Sequence, residues 1–181
     1  MFQPDKPYAE LDTGDNHIQC GRRNDILKFW LAWQSLADTG YAKRVDVLLD
    51  LARYMASAIE KRAADGFVLT SKPACSNVCF FHIPEFLRAD PIAVEMLKGN
   101  VDILKTEAAA EFVLKCKKIP PAVKAAMCGE GTMMCGFQPD HGLPNHWRFI
   151  ITNPRTTEAM LDDALNIIAR LGDACAPSTS D

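Results

Sequence analysis

The order of helical and extended patterns along the chain predicts an α+β fold class, in which two helices precede a small domain with helices on one face of an antiparallel sheet. Three observations lead to this prediction. Before residue 66 the apolar residues recur with helical spacing only. After residue 66, short β-branched and aromatic runs alternate with helical stripes in the order β-β-α-β-β-α. The last two strand candidates are joined by a loop rich in proline and glycine, as antiparallel neighbours often are.

The first predicted helix follows a turn-rich segment of 23 residues. It begins at Asn24 or Asp25, either of which can cap it, and it ends at the break at Gly40. Its apolar residues are Ile26, Leu27, Trp30, Leu31 and Trp33. These residues form a surface that is too broad for a helix half exposed to water. We therefore expect the helix to be buried against another domain or another subunit.

The second predicted helix runs from about Ala42 to Ala64, and Gly66 is a natural stop for it. One of its faces is apolar and consists of Val45, Leu48, Ala52, Met55 and Ile59.

Four later segments are strand candidates. In one-letter code they are FVLT at 67–70, NVCFFHI at 77–83, TMMCGFQ at 132–138 and HWRFIIT at 146–152. The last two are predicted to pair through the loop PDHGLPN.

The remaining helical patterns lie between and after these strands. One runs from about Pro91 to Lys118 with an interruption at Gly99 and Asn100, and a second begins at the proline pair 120–121. The last begins at Thr156 or Thr157 and ends at Gly172. Its predicted core stripe consists of Met160, Leu161, Ala164, Leu165, Ile168 and Leu171. We expect the tail, residues 173–181, to be disordered.

The composition is that of an ordinary globular protein, with 181 residues of which 48% are hydrophobic and 24% are charged. The formal net charge of −3 gives no electrostatic reason to expect binding to nucleic acid or to an anionic membrane. No apolar stretch approaches the roughly 20 residues that a spanning helix needs. The N-terminus resembles neither a secretory signal nor a transit peptide. These patterns predict a cytoplasmic protein.

The seven cysteines are scattered and odd in number, which is typical of reduced cysteine used as a small apolar residue. The alternative is a zinc site formed by Cys75, Cys79 and His82. No C-x-x-C pair exists, and no fourth ligand stands at metal spacing. We therefore favour core packing and predict no metal site.

One charged residue stands in a run that otherwise resembles a core strand. Arg148 lies among Trp147, Phe149 and Ile150. A guanidinium is almost never buried without a partner, so Arg148 faces either water or a pocket that receives an anion. The pattern alone leaves both interpretations open.

Four segments of the chain resemble the C-terminal part of the group II pyridoxal-phosphate decarboxylases. They are DTGDNHIQCGRRNDILKFWLAW (12–33), SNVCFFHIPEFLR (76–88), GTMMCGFQP (131–139) and WRFIITNP (147–154). The resemblance is greatest to the acidic amino acid branch, which contains glutamate decarboxylase and cysteine sulfinate decarboxylase. It covers nearly the whole chain, in order. The chain departs from the family pattern around 95–112, where it is longer by about a dozen residues or more.

The resemblance implies an α/β architecture, the fold type I found in pyridoxal-phosphate enzymes, in a homodimer with active sites at the interface. Residues 1–65 would be the end of the large cofactor-binding domain with its connecting helices. Residues 66–172 would be the small C-terminal α+β domain. The family's Schiff-base lysine follows a histidine, but no histidine in this chain precedes a lysine. The resemblance therefore implies that the catalytic lysine lies upstream of Met1 and that this chain alone is inactive.

The resemblance also implies roles for particular residues. Arg148 matches the arginine that binds the distal carboxylate of the substrate in this family. Cys20 and Gly21 lie in a segment that the family places at the dimer interface, near the pyridoxal-phosphate group of the neighbouring subunit. A turn that only caps the following helix is the alternative for this segment.

Two functions remain open at this point. The first is the decarboxylation of an acidic amino acid (glutamate, aspartate or cysteine sulfinate) by a full-length dimer of which this chain is the C-terminal part. The second is a non-catalytic, truncated homologue that binds or competes with a full-length subunit.

Overall fold

A computed structural model describes residues 25–140 and 143–175. The chain forms two compact units, Met1–Lys43 and Arg44–Asp181. This division precedes the boundary at residue 65 that the resemblance implies, and the assignment of those two domains stays a prediction.

The first described element is the helix α1 (Asp25–Lys61), which is interrupted at Ala37. Ala37 has a φ of 51° and a ψ of −176°, a conformation that costs free energy in a residue with a Cβ. The predicted break at Gly40 is wrong, because a helix tolerates an internal glycine at a cost of about 1 kcal/mol. The predicted apolar stripe of the second half is confirmed at Ala52, Met55 and Ile59, which are buried.

The described part of the first unit carries an aromatic cluster. The rings of Trp33 and Tyr41 stack with their centroids 4.8 Å apart, and Phe29 lies 5.3 Å from Trp33. Four other apolar residues of this segment are more than half exposed, namely Ile26, Leu27, Trp30 and Leu31. The prediction that another domain or subunit covers this surface stays a prediction.

The second unit contains a four-stranded antiparallel sheet. Its strands are β1 (Phe67–Leu69), β2 (Asn77–His82), β3 (Gly136–Asp140) and β4 (Leu143–Ile150). The strand order is β1-β2-β4-β3, and every neighbouring pair is antiparallel. All four predicted strands are present, and the predicted pairing of the last two is confirmed. The strand predicted over 132–138 begins later, at Gly136.

Two helices, α3 (Ala110–Glu130) and α4 (Glu158–Ala174), pack on one face of this sheet. Cross-strand partners project to the same side, so Phe80 and Trp147 share this helix-covered face. Both residues are almost completely buried. The opposite face, here called the open face, carries the side chains of the alternate positions; it is buried at Phe81 and exposed at Arg148. The fold therefore agrees with the predicted arrangement of helices on one side of an antiparallel sheet.

Helix α3 continues through the proline pair, which was predicted to start a separate helix. Pro121 has no N–H to donate to the carbonyl of Lys117, one turn earlier, and such a loss normally breaks a helix. Here the side chain of Asn145, on β4, donates a hydrogen bond of 2.7 Å to that carbonyl. The contact supplies the missing donor from a distant part of the sequence. The shorter helix α2 (Pro91–Leu97) and two 3₁₀ turns precede α3.

Helix α4 begins after Thr157, whose side chain accepts a hydrogen bond from the backbone N–H of Met160, as predicted for its N-terminal cap. The helix ends at Ala174, so the predicted end at Gly172 is too early. Asp173, in the last turn of the helix, forms an ion pair with Arg88. The rest of the predicted tail, residues 176–181, lies outside the described residues. Met160, which was predicted to face the core, is 59% exposed.

Arg88 connects three parts of the second unit. Its guanidinium donates hydrogen bonds to the carbonyls of Ile83 (3.0 Å) and Asp65 (2.8 Å), and it pairs with Asp173 at 3.2 Å. Gly66 lies beneath it with a φ of 87°, and a Cβ there would come within 2.1 Å of the Ile83 carbonyl oxygen. Gly66 therefore permits both the turn and the close approach of β2.

Within the described residues, no helix combines the length and the hydropathy needed to cross a membrane. No disulfide joins the described cysteines, of which Cys116 and Cys135 are buried.

Candidate functional site

Arg148 lies on β4, a central strand, and its side chain is exposed on the open face. Side chains alternate along a strand, so the neighbouring Trp147 enters the core while Arg148 does not. The cross-strand partners of Arg148 are Cys79 on β2 and Gly136 on β3. The position of Arg148 is therefore fixed from both sides by backbone pairing, and only its side chain is free to reorient.

A shallow cleft of about 220 Å³ surrounds Arg148. Its walls are formed by Met134, Cys135, Gly136, Phe149 and Ile150. Met134 and Ile150 are exposed, and Gly136 contributes no side chain beside the guanidinium. The cleft thus combines one cation with apolar walls and leaves room for a small group next to the cation.

Within the described residues, no carboxylate forms a salt bridge with Arg148, and no group forms a hydrogen bond with its guanidinium. Other arginines of the same unit are paired: Arg88 with Asp173 and Arg170 with Glu130. The thiol of Cys135, on the wall of the cleft, is buried, and burial raises its pKa to about 12. This thiol stays neutral at working pH and competes with no anion for the arginine.

The arrangement can bind and orient an anion. A guanidinium presents paired donors that match a carboxylate or a sulfinate, and such bidentate contacts are stronger than neutral hydrogen bonds. The cleft walls in the described chain contain no carboxylate, imidazole or lysine that could transfer a proton. The site therefore supplies recognition, and any acid or base must come from elsewhere.

The structure does not test the other predicted binding residues. Cys20 and Gly21 lie outside the described residues, so their predicted role at the cofactor phosphate stays a prediction. Among the described residues, no cluster of three or more histidine, cysteine or acidic side chains could hold a metal ion. Cys79 and His82 are three residues apart on β2 and project to opposite faces of the sheet, which separates two of the three zinc ligands considered above.

The described residues do not fit a pyridoxal-phosphate pocket by themselves. A Schiff-base lysine needs a desolvated position or a neighbouring base. Every described lysine is exposed except Lys124, which is half-buried with its ammonium group 5.5 Å from the ring centre of Phe137. The cofactor must therefore be held by residues outside this part of the chain.

Sequence reasoning missed a second surface feature, a methionine-lined groove beside the Arg148 cleft. The groove has a volume of about 460 Å³, and Met133, Met134 and Met160 lie on its walls. Met160 directly precedes the buried Leu161, so it lies about 100° around the helix from that residue. That offset is the signal in the sequence that Met160 lies to one side of the buried stripe.

Comparison with known proteins gives consistent matches. The family model described as the pyridoxal-dependent decarboxylase conserved domain matches residues 3–83. The acidic amino acid decarboxylase GADL1 of Xenopus tropicalis is 39% identical over 173 residues, which are 95% of this chain and 30% of that protein. The human cysteine sulfinic acid decarboxylase is 37% identical over 95% of this chain and 31% of its own length. The chain thus spans about a third of the relatives that it matches.

Solved structures extend the comparison to three dimensions. The apo form of mouse CSAD matches with a TM-score of 0.69 and 34% identity, over 94% of this chain and 32% of that one. A rice TDC with PLP and tryptamine matches with a TM-score of 0.59 at 16% identity, which shows similarity of fold alone. That match covers 90% of this chain and 29% of the rice protein.

Proposed function

The chain corresponds to the C-terminal part of a group II pyridoxal-phosphate-dependent decarboxylase, and from this relationship we propose that it supplies the substrate-recognition arginine of an acidic amino acid decarboxylase. The proposed substrates are glutamate, aspartate and cysteine sulfinate. The observation that carries the proposal is the Arg148 cleft, in which an exposed guanidinium has no carboxylate partner among the described residues.

The chemistry of decarboxylation decides which carboxylate Arg148 receives. The α-carboxylate must leave as carbon dioxide, so a strong cation on it would stabilise the ground state more than the transition state. A cation on the distal carboxylate stabilises both states equally and orients Cα for reaction. Arg148 therefore binds the distal acid group, and the apolar walls formed by Met134 and Ile150 contact the short carbon chain.

The remaining parts of the active site lie outside the described residues. The cofactor supplies the electron sink for the reaction, and the lysine that anchors it comes from the part of the polypeptide that precedes this region in the relatives. We expect the enzyme to be a homodimer, with Cys20 and Gly21 near the cofactor phosphate of the neighbouring subunit.

The test uses a chimera in which this chain replaces the matched third of human cysteine sulfinic acid decarboxylase. Arg148→Ala removes hydrogen bonds to a charged group, worth about 1.5–3 kcal/mol. The expected result is a roughly 10- to 150-fold loss of kcat/KM for acidic substrates, with unchanged cofactor absorbance. The matched control is Arg155→Ala, which removes an exposed arginine that does not line the cleft.

Equal kcat/KM for wild type and Arg148→Ala on all three acids would contradict the role of Arg148. A chimera that binds the cofactor but releases no carbon dioxide from any of them would instead favour a non-catalytic homologue.

A further inference from the structure

Gly136 occupies a position in β3 where the backbone does not require a glycine. Its φ does not lie in the left-handed region, whereas that of Gly66 does. Among the described residues, and apart from the chain neighbours of Gly136, a Cβ at this position would meet only the carbonyl oxygen of Arg148, at 3.6 Å. That distance is an ordinary van der Waals contact. An alanine therefore fits here without strain.

The usual reasons for a glycine in a strand do not apply to Gly136. Such a glycine often marks a bulge, or a place where another backbone or a ligand approaches closely. The irregularity in this strand pair lies between Gln138 and Asp140, so a bulge is not the reason. The distance to the Arg148 carbonyl excludes the close approach of a backbone. The remaining explanation is a ligand on the open face.

The two flanks of Arg148 on the open face differ. On β2 its cross-strand partner is Cys79, a half-buried residue whose thiol donates a hydrogen bond of 3.8 Å to the side-chain oxygen of Asn77. On β3 its partner is Gly136, which has no side chain. The described walls of the Arg148 cleft come from β3, β4 and the segment before β3, and none of them comes from β2. The space beside the guanidinium therefore lies on the side of Gly136.

A methyl group on residue 136 would fill part of this space. Directly opposed residues of an antiparallel pair have Cβ atoms about 5 Å apart. The methyl group would therefore lie beside the first carbons of the Arg148 side chain, at the base of the cleft. It takes about as much volume as a water molecule, about 30 Å³, whereas the whole cleft has about 220 Å³. The glycine thus sets the depth of the cleft.

The depth matters for the shape of the acid group that is bound. Aspartate and cysteine sulfinate have carbon chains of the same length and differ only in the terminal acid. A carboxylate is planar, and it lies in the plane of a guanidinium when both of its oxygens are bound. The sulfur of a sulfinate is pyramidal, so the carbon chain leaves the plane of the two oxygens. A bound sulfinate therefore needs more space on one side of the guanidinium.

We propose that Gly136 is a specificity-determining residue. Its missing side chain makes the Arg148 cleft deep enough for a pyramidal sulfinate as well as for a planar carboxylate. This inference rests on the proposed function, since it concerns the acid group that the same arginine binds.

The chimera described above tests the proposal through the ratio of two activities. One carbon group in a pocket changes kcat/KM by about 10- to 200-fold. In Gly136→Ala the ratio of kcat/KM for cysteine sulfinate to kcat/KM for aspartate is therefore expected to fall at least about ten-fold, with unchanged cofactor absorbance. Glutamate replaces aspartate if aspartate is not turned over. The matched control is Gly129→Ala, which adds a Cβ that meets nothing within 4 Å and is expected to keep the wild-type ratio.

The stability of the fold supplies a second readout. Alanine in a strand loses less conformational entropy on folding than glycine does. The isolated 181-residue chain with Gly136→Ala is therefore expected to unfold at the same urea concentration as the wild type, or at a higher one. A glycine that the fold requires would give a lower midpoint. That result would overturn the inference.

Two results of the activity assay would also overturn the proposal. The first is an unchanged ratio in Gly136→Ala, and the second is a wild-type chimera that decarboxylates aspartate but not cysteine sulfinate. If the chimera does not fold, glycine and alanine are compared at the position of human cysteine sulfinic acid decarboxylase that is aligned with Gly136. Equal ratios for the two residues there would be decisive against the proposal.

Arg148→Ala separates this inference from the proposed function. Loss of activity in Arg148→Ala, together with an unchanged ratio in Gly136→Ala, would refute the inference and leave the proposed function standing. No loss of activity in Arg148→Ala would refute the proposed function, and the inference with it.

Discussion

Replacing Gly172 with alanine tests how closely α4 approaches the sheet. A Cβ on Gly172 would lie 2.5 Å from Nδ1 and 2.6 Å from Cε1 of His82. The His82 ring cannot easily move away, because it is buried and its centroid lies 4.8 Å from that of Phe67. The methyl group must therefore displace either the ring or the helix.

The expected loss follows from two opposing effects. Overpacking of a core costs about 1–3 kcal/mol, and alanine in place of a helical glycine contributes up to about 1 kcal/mol in the other direction. Gly129 measures the second effect alone, because it also lies near the end of its helix, α3, and a Cβ there meets nothing within 4 Å. Because both variants gain the second effect, we expect Gly172→Ala to be less stable than Gly129→Ala by the overpacking cost, about 1–3 kcal/mol.

The assay is urea unfolding of the 181-residue chain, followed by far-ultraviolet circular dichroism and analysed for the midpoint and the m-value. A third variant, His82→Ala, removes the ring that the new methyl group would meet. In that background Gly172→Ala should lose most of its penalty. If Gly172→Ala proves as stable as Gly129→Ala, the close contact between α4 and β2 is not present in the folded protein.

Three further predictions concern pH, the proline pair and the exposed helix. Burial lowers the pKa of His82 to about 4. Between about pH 4 and 6.5 the unfolded chain therefore binds more protons than the folded one. The free energy of unfolding should consequently fall by about 2 kcal/mol from about pH 7.5 to about pH 5. A His82→Phe variant that loses as much stability over this range would contradict that assignment. Asn145→Ala should lower the free energy of unfolding by about 1–3 kcal/mol, because it leaves the Lys117 carbonyl without a donor. The loss should be smaller in a Pro121→Ala background, where the helix regains its own N–H. Equal losses in the two backgrounds would disprove the link. The isolated chain should self-associate in gel filtration through its exposed aromatic helix, and Trp30→Glu should weaken this association. A wild-type chain that is monomeric at about tens of micromolar would refute the expectation.

The strands and the final helix could be predicted because their patterns are local. NVCFFHI is a short run of β-branched and aromatic residues of strand length, and Thr157 caps α4 through a contact three residues away. The continuity of α3 could not be predicted in this way. Proline breaks a helix unless another group replaces its missing donor, and Asn145 does so from 24 residues beyond Pro121 in the sequence. No local pattern contains that contact.

The sequence could predict the binding residue of the candidate site, but it could not predict the residues that surround it. Arg148 stands out because a charge in an apolar run requires an explanation, and the resemblance to a known family supplied one. The walls of the cleft come from β3, β4 and the segment before β3, which are brought together only by the pairing of the two strands. Met134 and Met160 meet only after folding, so the sequence could place Met160 to one side of the buried stripe but could not show that the two methionines share a groove.

The alternation along β4 means that the recognition residue and a core anchor occupy successive positions. A slip of one residue in the pairing of β4 would bury Arg148 among the helices and expose Trp147 to water. Such an error cannot produce a stable but inactive domain, because it buries an unpaired charge and removes the largest core side chain at the same time. The packing of Trp147 in the core and the exposure of Arg148 are therefore coupled through the register of β4. A molecule with the stable, compact sheet also presents the arginine on the open face.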